Sequence, residues 1–165
     1  MGLFSRRTER TPLDDVDAVL SDLDGVVYAG PGPLPYAVES LTRAGQTRRL
    51  GYITNNASRR DSAVADHLRE LGLTATQPDD VVTSPQAAMR LLRERVTPGA
   101  TVLVVGGDGL VFELEKAGYR VTRSADDAPA AVVQGFAPDV GWVHLAEAAY
   151  ALALPEDEGG IPWIA

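Results

Sequence analysis

The sequence predicts an α/β fold built on a parallel, doubly wound sheet. Short apolar and β-branched runs alternate along the chain with segments whose apolar residues recur at helical spacing. Polar or glycine-containing loops follow the strand-like runs, as at 21–28 and 54–57. Strand–helix–strand units of this kind form parallel sheets that bind ligands at the carboxyl edge of the strands.

The composition fits one large or two small domains with buried cores, since 45% of the 165 residues are hydrophobic and 23% are charged. A formal net charge of -8 disfavours nucleic acid as a partner. The chain has no cysteine, so it can hold neither a disulfide nor a thiolate metal site. No apolar run is long enough to span a bilayer, and MGLFSRRTER lacks the apolar core of a signal peptide, so we expect a cytoplasmic protein with no membrane partner.

The first part of the chain should form two strand–helix pairs after a polar tail at 1–14. Val64, Leu68 and Leu71 have the spacing of one helix face, and the segment 58–61 fits a capping box for that helix. The predicted elements are, in order, a strand at 17–23, a Gly/Pro loop at 29–35, a helix at 36–44, a strand at 50–54, a helix from Ser58 to Gly72, and a polar connector at 73–80.

The second part repeats the alternation. Ser84-Pro85 is typical of a helix start with proline in the first turn. The further predictions are a strand at 101–105, a helix after the glycine-rich turn 106–109, short strands at 119–122 and 131–134, a helix at 142–153 and an apolar strand at 161–165. Because that last strand has no turn after it, we expect the sequence to be the N-terminal part of a longer protein.

The stretch SDLDGVVY, at 21–28, places two carboxylates at the end of the first strand. Side chains alternate along a strand, so Asp22 and Asp24 face the same way and Leu23 faces the opposite way. Two carboxylates on one side are costly to bury without a cation or a proton between them. A solvated acidic turn is the alternative interpretation of this pattern.

A second polar loop, at 54–56, should lie at the same sheet edge. The Thr54 hydroxyl and the backbone amides around Asn55 and Asn56 are donors suited to phosphate oxygens. The two aspartates suit Mg²⁺, which takes few carboxylates and keeps waters. A divalent cation would allow an acidic pair and a phosphate to share one site.

These two motifs, DLDGV and ITNNASR, resemble the first and second motifs of the haloacid dehalogenase superfamily of phosphatases, in its NagD-like branch (class IIA). That branch contains nitrophenyl-phosphate, phosphoglycolate and glycerol-phosphate phosphatases. The resemblance implies a partial Rossmann-like core with a parallel sheet at 15–78. It also implies an inserted α/β cap domain at 79–165 that is incomplete at its C-terminus.

The resemblance also implies a Mg²⁺-dependent hydrolysis of small phosphate monoesters through an aspartyl-phosphate. Asp22 would be the nucleophile and Asp24 the general acid and base, and both would hold the metal. Thr54, Asn55 and Asn56 would bind the phosphate. The substrate could be a sugar phosphate, glycerol phosphate, phosphoglycolate or a nucleotide, and the resemblance alone suggests a homodimer formed through the cap.

The family also uses a lysine and a Gly-Asp motif that follow the cap. Lys116, the only lysine, belongs to the end of a predicted helix and should face solvent, and the turn 106–109 lies too early to be the Gly-Asp motif. We therefore expect the 165-residue chain alone to be inactive. The alternative function is a catalytically inactive phosphate-binding or interaction module.

Other candidate residues favour structural roles. A calcium loop at Asp22 fails because Val26 and Val27 occupy positions that need a ligand and glycine. The missing GxGxxG pattern disfavours a nucleotide-cofactor domain. We expect His67 to lie on the surface, and Arg59 and Arg60 to form a solvated first helical turn, although they could steer an anion. Trp142 and Trp163 are predicted to be core or interface residues.

Overall fold

The structure, a computed structural model, describes residues 10–165. Most of the predicted tail, residues 1–9, therefore lies outside the described residues. Residues 12–15 form a turn, and the Arg48 guanidinium donates hydrogen bonds of 3.0 and 2.7 Å to the Leu13 carbonyl. This part of the predicted tail is thus bonded to the residue before the second long strand.

Within residues 10–165, strands and α-helices alternate as the sequence predicts. In chain order they are β1 (Ala18–Asp22), β2 (Tyr28–Ala29), β3 (Gly32–Pro33), α1 (Ala37–Gly45), β4 (Arg49–Thr54), α2 (Asp61–Glu70), β5 (Val81–Thr83), α3 (Ser84–Arg95), β6 (Thr101–Val105), α4 (Asp108–Lys116), β7 (Arg120–Thr122), β8 (Ala131–Gln134), α5 (Trp142–Ala151) and β9 (Trp163–Ile164). Among these helices, none has the length and apolar character that a membrane crossing requires.

The long strands form two parallel sheets, which confirms the predicted fold class. The first sheet has the order β1-β4-β5 and the second has the order β7-β6-β8-β9. The short strands β2 and β3 form a separate antiparallel pair. In a parallel sheet all strands end at the same edge, so each sheet brings its strand-end loops together.

The first sheet is covered on one face by α1 and α2. The side chains of Leu23, Tyr52 and Leu68 are at most 2% exposed and form the centre of this core. On the other face, Leu20 is 68% exposed and Ile53 is 44% exposed within the described part of the chain. The described residues therefore bury one face of this sheet and leave apolar side chains on the other.

The second sheet is covered on both faces, as parallel sheets usually are. Met89 of α3 and Leu114 of α4 pack with Val102 and Val104 of β6 on one face. On the other face, Ala148 of α5 packs with Leu103 and with buried valines. The alternating burial of β6 thus produces two cores, one on each side of the same strand.

The structure differs from the predictions in three details. The segment 81–83 was not predicted as a strand, yet β5 pairs in parallel with β4, with Thr83 opposite Thr54. Helix α2 begins at Asp61 instead of Ser58, because the Ser58 hydroxyl donates to the Asn56 side chain and does not cap the helix. A core position for the tryptophans is excluded, because Trp142 is 81% exposed and Trp163 is 57% exposed.

A buried carboxyl group lies on α4, within the electrostatic field of Asp61 at the start of α2. Glu113 is 6% exposed, its Oε1 atom makes no hydrogen bond to a residue in 10–165, and the Lys116 ammonium lies 3.8 Å from it. Burial raises the pKa of Glu113 above its ordinary value of 4.5; the charge of Lys116 opposes this shift and that of Asp61 adds to it. Lys116 therefore faces a carboxylate of its own helix, at the helix end where the sequence places it.

We expect the Glu113→Gln variant to gain stability relative to the native protein as pH rises. Below about pH 4.5 the Glu113 carboxyl group is protonated in the folded and the unfolded protein, and its contribution to the stability of the fold is fully present. As pH rises through the raised folded-state pKa, the folded state loses that contribution because an ionised group must stay buried. Thermal melts at pH 4 and pH 8 would measure this difference.

The matched control for that comparison is Glu115→Gln, an exposed carboxylate on the same helix. Its effect on the melting temperature should be nearly the same at both pH values. A Glu113→Gln variant whose relative stability falls between pH 4 and pH 8 would contradict the assignment.

Candidate active site

Asp22 and Asp24 lie together at the carboxyl end of β1. Both are exposed, and Leu23 between them is fully buried, so the alternation predicted from the sequence is confirmed. Asp22 Oδ1 accepts a hydrogen bond of 2.7 Å from the Leu23 amide. In the part of the chain that the structure describes, neither carboxylate forms an ion pair with a basic side chain. The pair is thus free to interact with an external cation.

The chain turns sharply after Asp24. Gly25 has a φ of 79°, in the left-handed region that favours glycine. Its amide donates to the Tyr28 carbonyl at 2.8 Å, and the Val27 amide donates to the Leu23 carbonyl at 2.8 Å. These internal bonds fix the turn, so the position of Asp24 relative to β1 is set by backbone contacts.

Thr54 ends β4 and begins the second polar loop. Its side chain is 3% exposed, and its hydroxyl oxygen accepts a hydrogen bond of 3.1 Å from the Asn56 amide. A hydroxyl that accepts still has its proton to donate. The Thr54 O–H group is therefore a donor available to an anion beside the loop.

The two asparagines of the loop differ in their surroundings. Asn56 Oδ1 accepts from both the amide and the hydroxyl of Ser58, at 2.9 and 2.8 Å, so its side chain shapes the loop. Asn55 is exposed, and its carbonyl oxygen accepts from the Ser84 hydroxyl at 3.1 Å. This geometry supports a ligand contact more directly for Asn55 than for Asn56.

The sheet brings both motifs to one edge. β1 and β4 are neighbouring parallel strands, and Asp22 lies opposite Ile53, one residue before Thr54. The acidic pair and the 54–56 loop are therefore adjacent strand ends. All five predicted site residues lie at this carboxyl edge, and their chemical roles remain predictions.

Tyr28 and His67 also belong to the surroundings of the acidic pair. Tyr28 is 5% exposed, and its ring packs edge-on against His67 with the ring centres 5.0 Å apart. Burial raises the pKa of Tyr28, the charges of Asp24 and Asp22 raise it further, and the charge of Arg59 lowers it. The Tyr28 hydroxyl therefore lies within the field of both carboxylates and of Arg59.

Sequence reasoning missed this contact. The sequence indicates Tyr28 only as the end of the acidic motif and predicts a surface position for His67, whereas the His67 side chain is 19% exposed. The turn at Gly25 brings the chain to Tyr28, whose ring contacts His67 of α2. An aromatic residue placed four positions after Asp24, just beyond a glycine turn, was the available signal.

Helix α4 and the loop after β8 lie against residues 57–60. A Cβ atom at Gly109 would lie 3.0 Å from the carbonyl carbon and oxygen of Arg59, and one at Gly135 would lie 3.2 Å from Ala57 Cβ. The Arg60 guanidinium lies 4.2 Å above the Phe112 ring, so Arg60 is not simply a solvated residue. The start of α4 and the loop after β8, both at the carboxyl edge of the second sheet, therefore contact the segment that follows the 54–56 loop.

We expect Gly109→Ala to destabilise the protein by about 1–3 kcal/mol through overpacking. Alanine usually stabilises a helix by up to about 1 kcal/mol relative to glycine, but here the atoms it meets belong to backbone, which cannot move aside as a side chain can. Denaturant unfolding would measure the change. Gly32→Ala, whose Cβ meets no atom within 4 Å, is the control and should have a much smaller effect.

The acidic pair is a partial metal site. Residues 10–165 contain no group of three or more His, Cys, Asp or Glu side chains placed to hold a metal ion. Two exposed carboxylates without a cationic partner nonetheless fit a hard divalent cation that keeps several waters. Asp22 and Asp24 are therefore the residues that could hold Mg²⁺, with other ligands supplied by water or substrate.

The comparisons with known proteins agree with this geometry. A family model described as haloacid dehalogenase-like hydrolase matches residues 19–120. A D-glycerol 3-phosphate phosphatase of Mycobacterium tuberculosis is 47% identical over 149 residues, which cover 90% of this chain and 40% of the relative.

Solved structures show the same similarity. A glycerol phosphate phosphatase of M. tuberculosis in complex with magnesium aligns with a TM-score of 0.77 and 37% identity, covering 93% of this chain and 55% of that one. NagD of E. coli aligns with a TM-score of 0.70 and 29% identity, covering 82% and 52%. The chain thus spans about half the length of the relatives it matches.

Proposed function

This chain belongs to the haloacid dehalogenase-like hydrolase family. We propose that the whole protein is a Mg²⁺-dependent phosphatase of small phosphate monoesters. The observation that carries the proposal is the adjacency of the two motifs. Asp22 and Asp24 end one strand, and Thr54 ends its parallel neighbour. With the proposed roles, these two strand ends would supply a nucleophile, a proton donor and phosphate-binding groups at one sheet edge.

In the proposed reaction, an Asp22 carboxylate oxygen attacks phosphorus as the bond to the leaving oxygen breaks. Asp24, protonated at this stage, gives its proton to that oxygen, and the product alcohol leaves. Asp24 then accepts a proton from a water molecule as the water oxygen attacks phosphorus. The Asp22–phosphate bond breaks, which releases inorganic phosphate and restores both carboxyl groups.

The remaining loop residues position the phosphoryl group. The Thr54 hydroxyl has a free proton to donate, and Asn55 lies exposed at the same edge. Asn56 contributes by holding the loop conformation through Ser58. Mg²⁺ held by Asp22 and Asp24 would supply positive charge that offsets the repulsion between carboxylates and phosphate.

Glycerol phosphate is the substrate that the similar proteins suggest first, since four of them carry that activity in their names. The test is phosphate release by the whole protein with glycerol 3-phosphate, phosphoglycolate, a sugar phosphate and a nucleoside monophosphate, each with Mg²⁺ and with a chelator. Mg²⁺-dependent release from at least one ester is expected. Tight phosphate binding without turnover of any ester would instead favour the inactive binding module.

We also propose that the second sheet and its helices act as a cap over the site and as the dimer surface. Helix α5 supports this, because Trp142, Val143 and Tyr150 are 69–81% exposed and apolar or aromatic. Sedimentation of the whole protein would test the dimer, and a monomer at micromolar concentration would contradict it. A cytoplasmic location also remains a proposal.

A further inference from the structure

A cavity lies at the edge of the first sheet that is opposite to the acidic pair. Its volume is about 300 Å³. It is formed by the end of α1, the first residues of β4 and the segment 72–76 that follows α2. Because β4 runs from this cavity towards Thr54, the cavity and the candidate active site lie at opposite ends of the same strand.

The cavity has apolar walls and the size of a small-ligand site. Leu50 and Leu73 line it together with the ring of Tyr52. Sites for small molecules in proteins begin at about 300 Å³ and combine apolar walls with a few polar groups that fix the orientation. The volume therefore limits the cavity to a small ligand, and the apolar walls require that part of the ligand be apolar.

The charge around the cavity is positive. Arg48 and Arg49 both line it, and Asp80 is the one acidic residue among its lining residues. Within residues 10–165 neither arginine forms an ion pair with a carboxylate. Arg48 is held in place instead by backbone carbonyls, those of Leu13 and Thr47, so its charge is fixed at the wall without being neutralised.

A buried hydroxyl adds a neutral donor. Tyr52 is 2% exposed, and its hydroxyl lies within hydrogen-bonding reach of the Thr76 side chain. Burial raises the pKa of Tyr52; Thr76 opposes the shift and Asp80 adds to it, so the group keeps its proton at neutral pH.

We propose that this cavity binds a small amphipathic carboxylate, with its charged group towards Arg48 and Arg49 and its apolar part against Leu50 and Leu73. The site is separate from the proposed catalytic edge, and the inference does not depend on the phosphatase activity. A carboxylate supplies two acceptor oxygens for guanidinium or tyrosine donors. The apolar part displaces water from the walls.

The test is a titration of the whole protein with indole-3-acetate, followed by calorimetry and by saturation-transfer NMR. Saturable binding at one site is expected, with indole-3-acetamide, the neutral analogue, at least about tenfold weaker. Excess inorganic phosphate, which should occupy the catalytic edge, is expected to leave the affinity unchanged. Absence of binding, equal affinity for acid and amide, or displacement by phosphate would each overturn the proposal.

Variants locate the site. Arg49→Gln should weaken binding about tenfold, and Ala75→Trp, which fills the cavity, should abolish it. Arg90→Gln removes an exposed charge on α3 and should change nothing. Thermal melts identify a variant that fails to fold. Because Arg49 is exposed, Arg49→Gln should fold and can test the site even if Ala75→Trp does not fold. Unchanged affinity in folded Arg49→Gln would overturn the assignment.

Discussion

We expect Asp22→Asn in the whole protein to lower kcat/KM for phosphate monoesters by at least about 10⁴-fold, because the proposed reaction uses Asp22 as its nucleophile. The amide is a far weaker nucleophile than the carboxylate, and it offers a metal ion no negative charge. Steady-state phosphate release, measured with saturating Mg²⁺, would give the loss. Mild acid quenching during native turnover should also trap phosphate covalently bound to the native chain and not to the variant.

The same substitution should leave the fold nearly unchanged. Asp22 is exposed, and its hydrogen bond to the Leu23 amide can also be accepted by the asparagine carbonyl oxygen. Asp17→Asn is the matched control, because it removes an exposed carboxylate next to the start of the same strand. If Asp22→Asn retained more than about a hundredth of native turnover, Asp22 would not be the nucleophile.

The parts of the site that the sequence predicts correctly are local. An apolar run ending in Asp-Leu-Asp-Gly indicates a strand end, and the period of two places Asp22 and Asp24 on one side. The same reasoning applies to β4 and Thr54. Neighbouring strand ends then follow from the topology of parallel sheets, so the position of the five predicted residues needed no tertiary information.

The parts that it missed depend on contacts between distant segments. β5 has only three residues, too few to show a period, and its pairing with β4 makes it a strand. The start of α2 is set by the bond between Ser58 and Asn56, which competes with the predicted cap. Tyr28 and His67 meet only because the turn at Gly25 and helix α2 are brought together by the core.

The close approach of the two sheets is likewise a tertiary feature. The glycine-rich turn 106–109 predicts a loop, but the sequence alone does not say that Gly109 meets the Arg59 backbone. In the structure this contact links the second sheet to the segment just after the 54–56 loop. Small changes at Gly109 would therefore affect both the packing of the sheets and the surroundings of Arg59.

The second large effect is expected for Asp24→Asn, and it should depend on the leaving group. With glycerol 3-phosphate the departing alkoxide needs a proton, so losing the general acid should reduce kcat about 10²–10⁴-fold. With p-nitrophenyl phosphate the departing phenolate is a stable anion, so its departure needs little protonation. The measurement is kcat for each of the two substrates, determined with the native protein and with the variant.

The comparison separates proton donation from other roles of Asp24. If Asp24 served only to hold the metal or the turn, both substrates would lose rate by the same factor, and its role as general acid would be wrong. With p-nitrophenyl phosphate, the remaining loss in the variant should lie in the hydrolysis of the aspartyl-phosphate, where Asp24 is proposed to act as the base. That intermediate should then accumulate on Asp22 in Asp24→Asn, which acid quenching would detect as chain-bound phosphate. A larger loss with p-nitrophenyl phosphate than with glycerol 3-phosphate would contradict both steps, because the substrate that needs the acid less would then depend on it more.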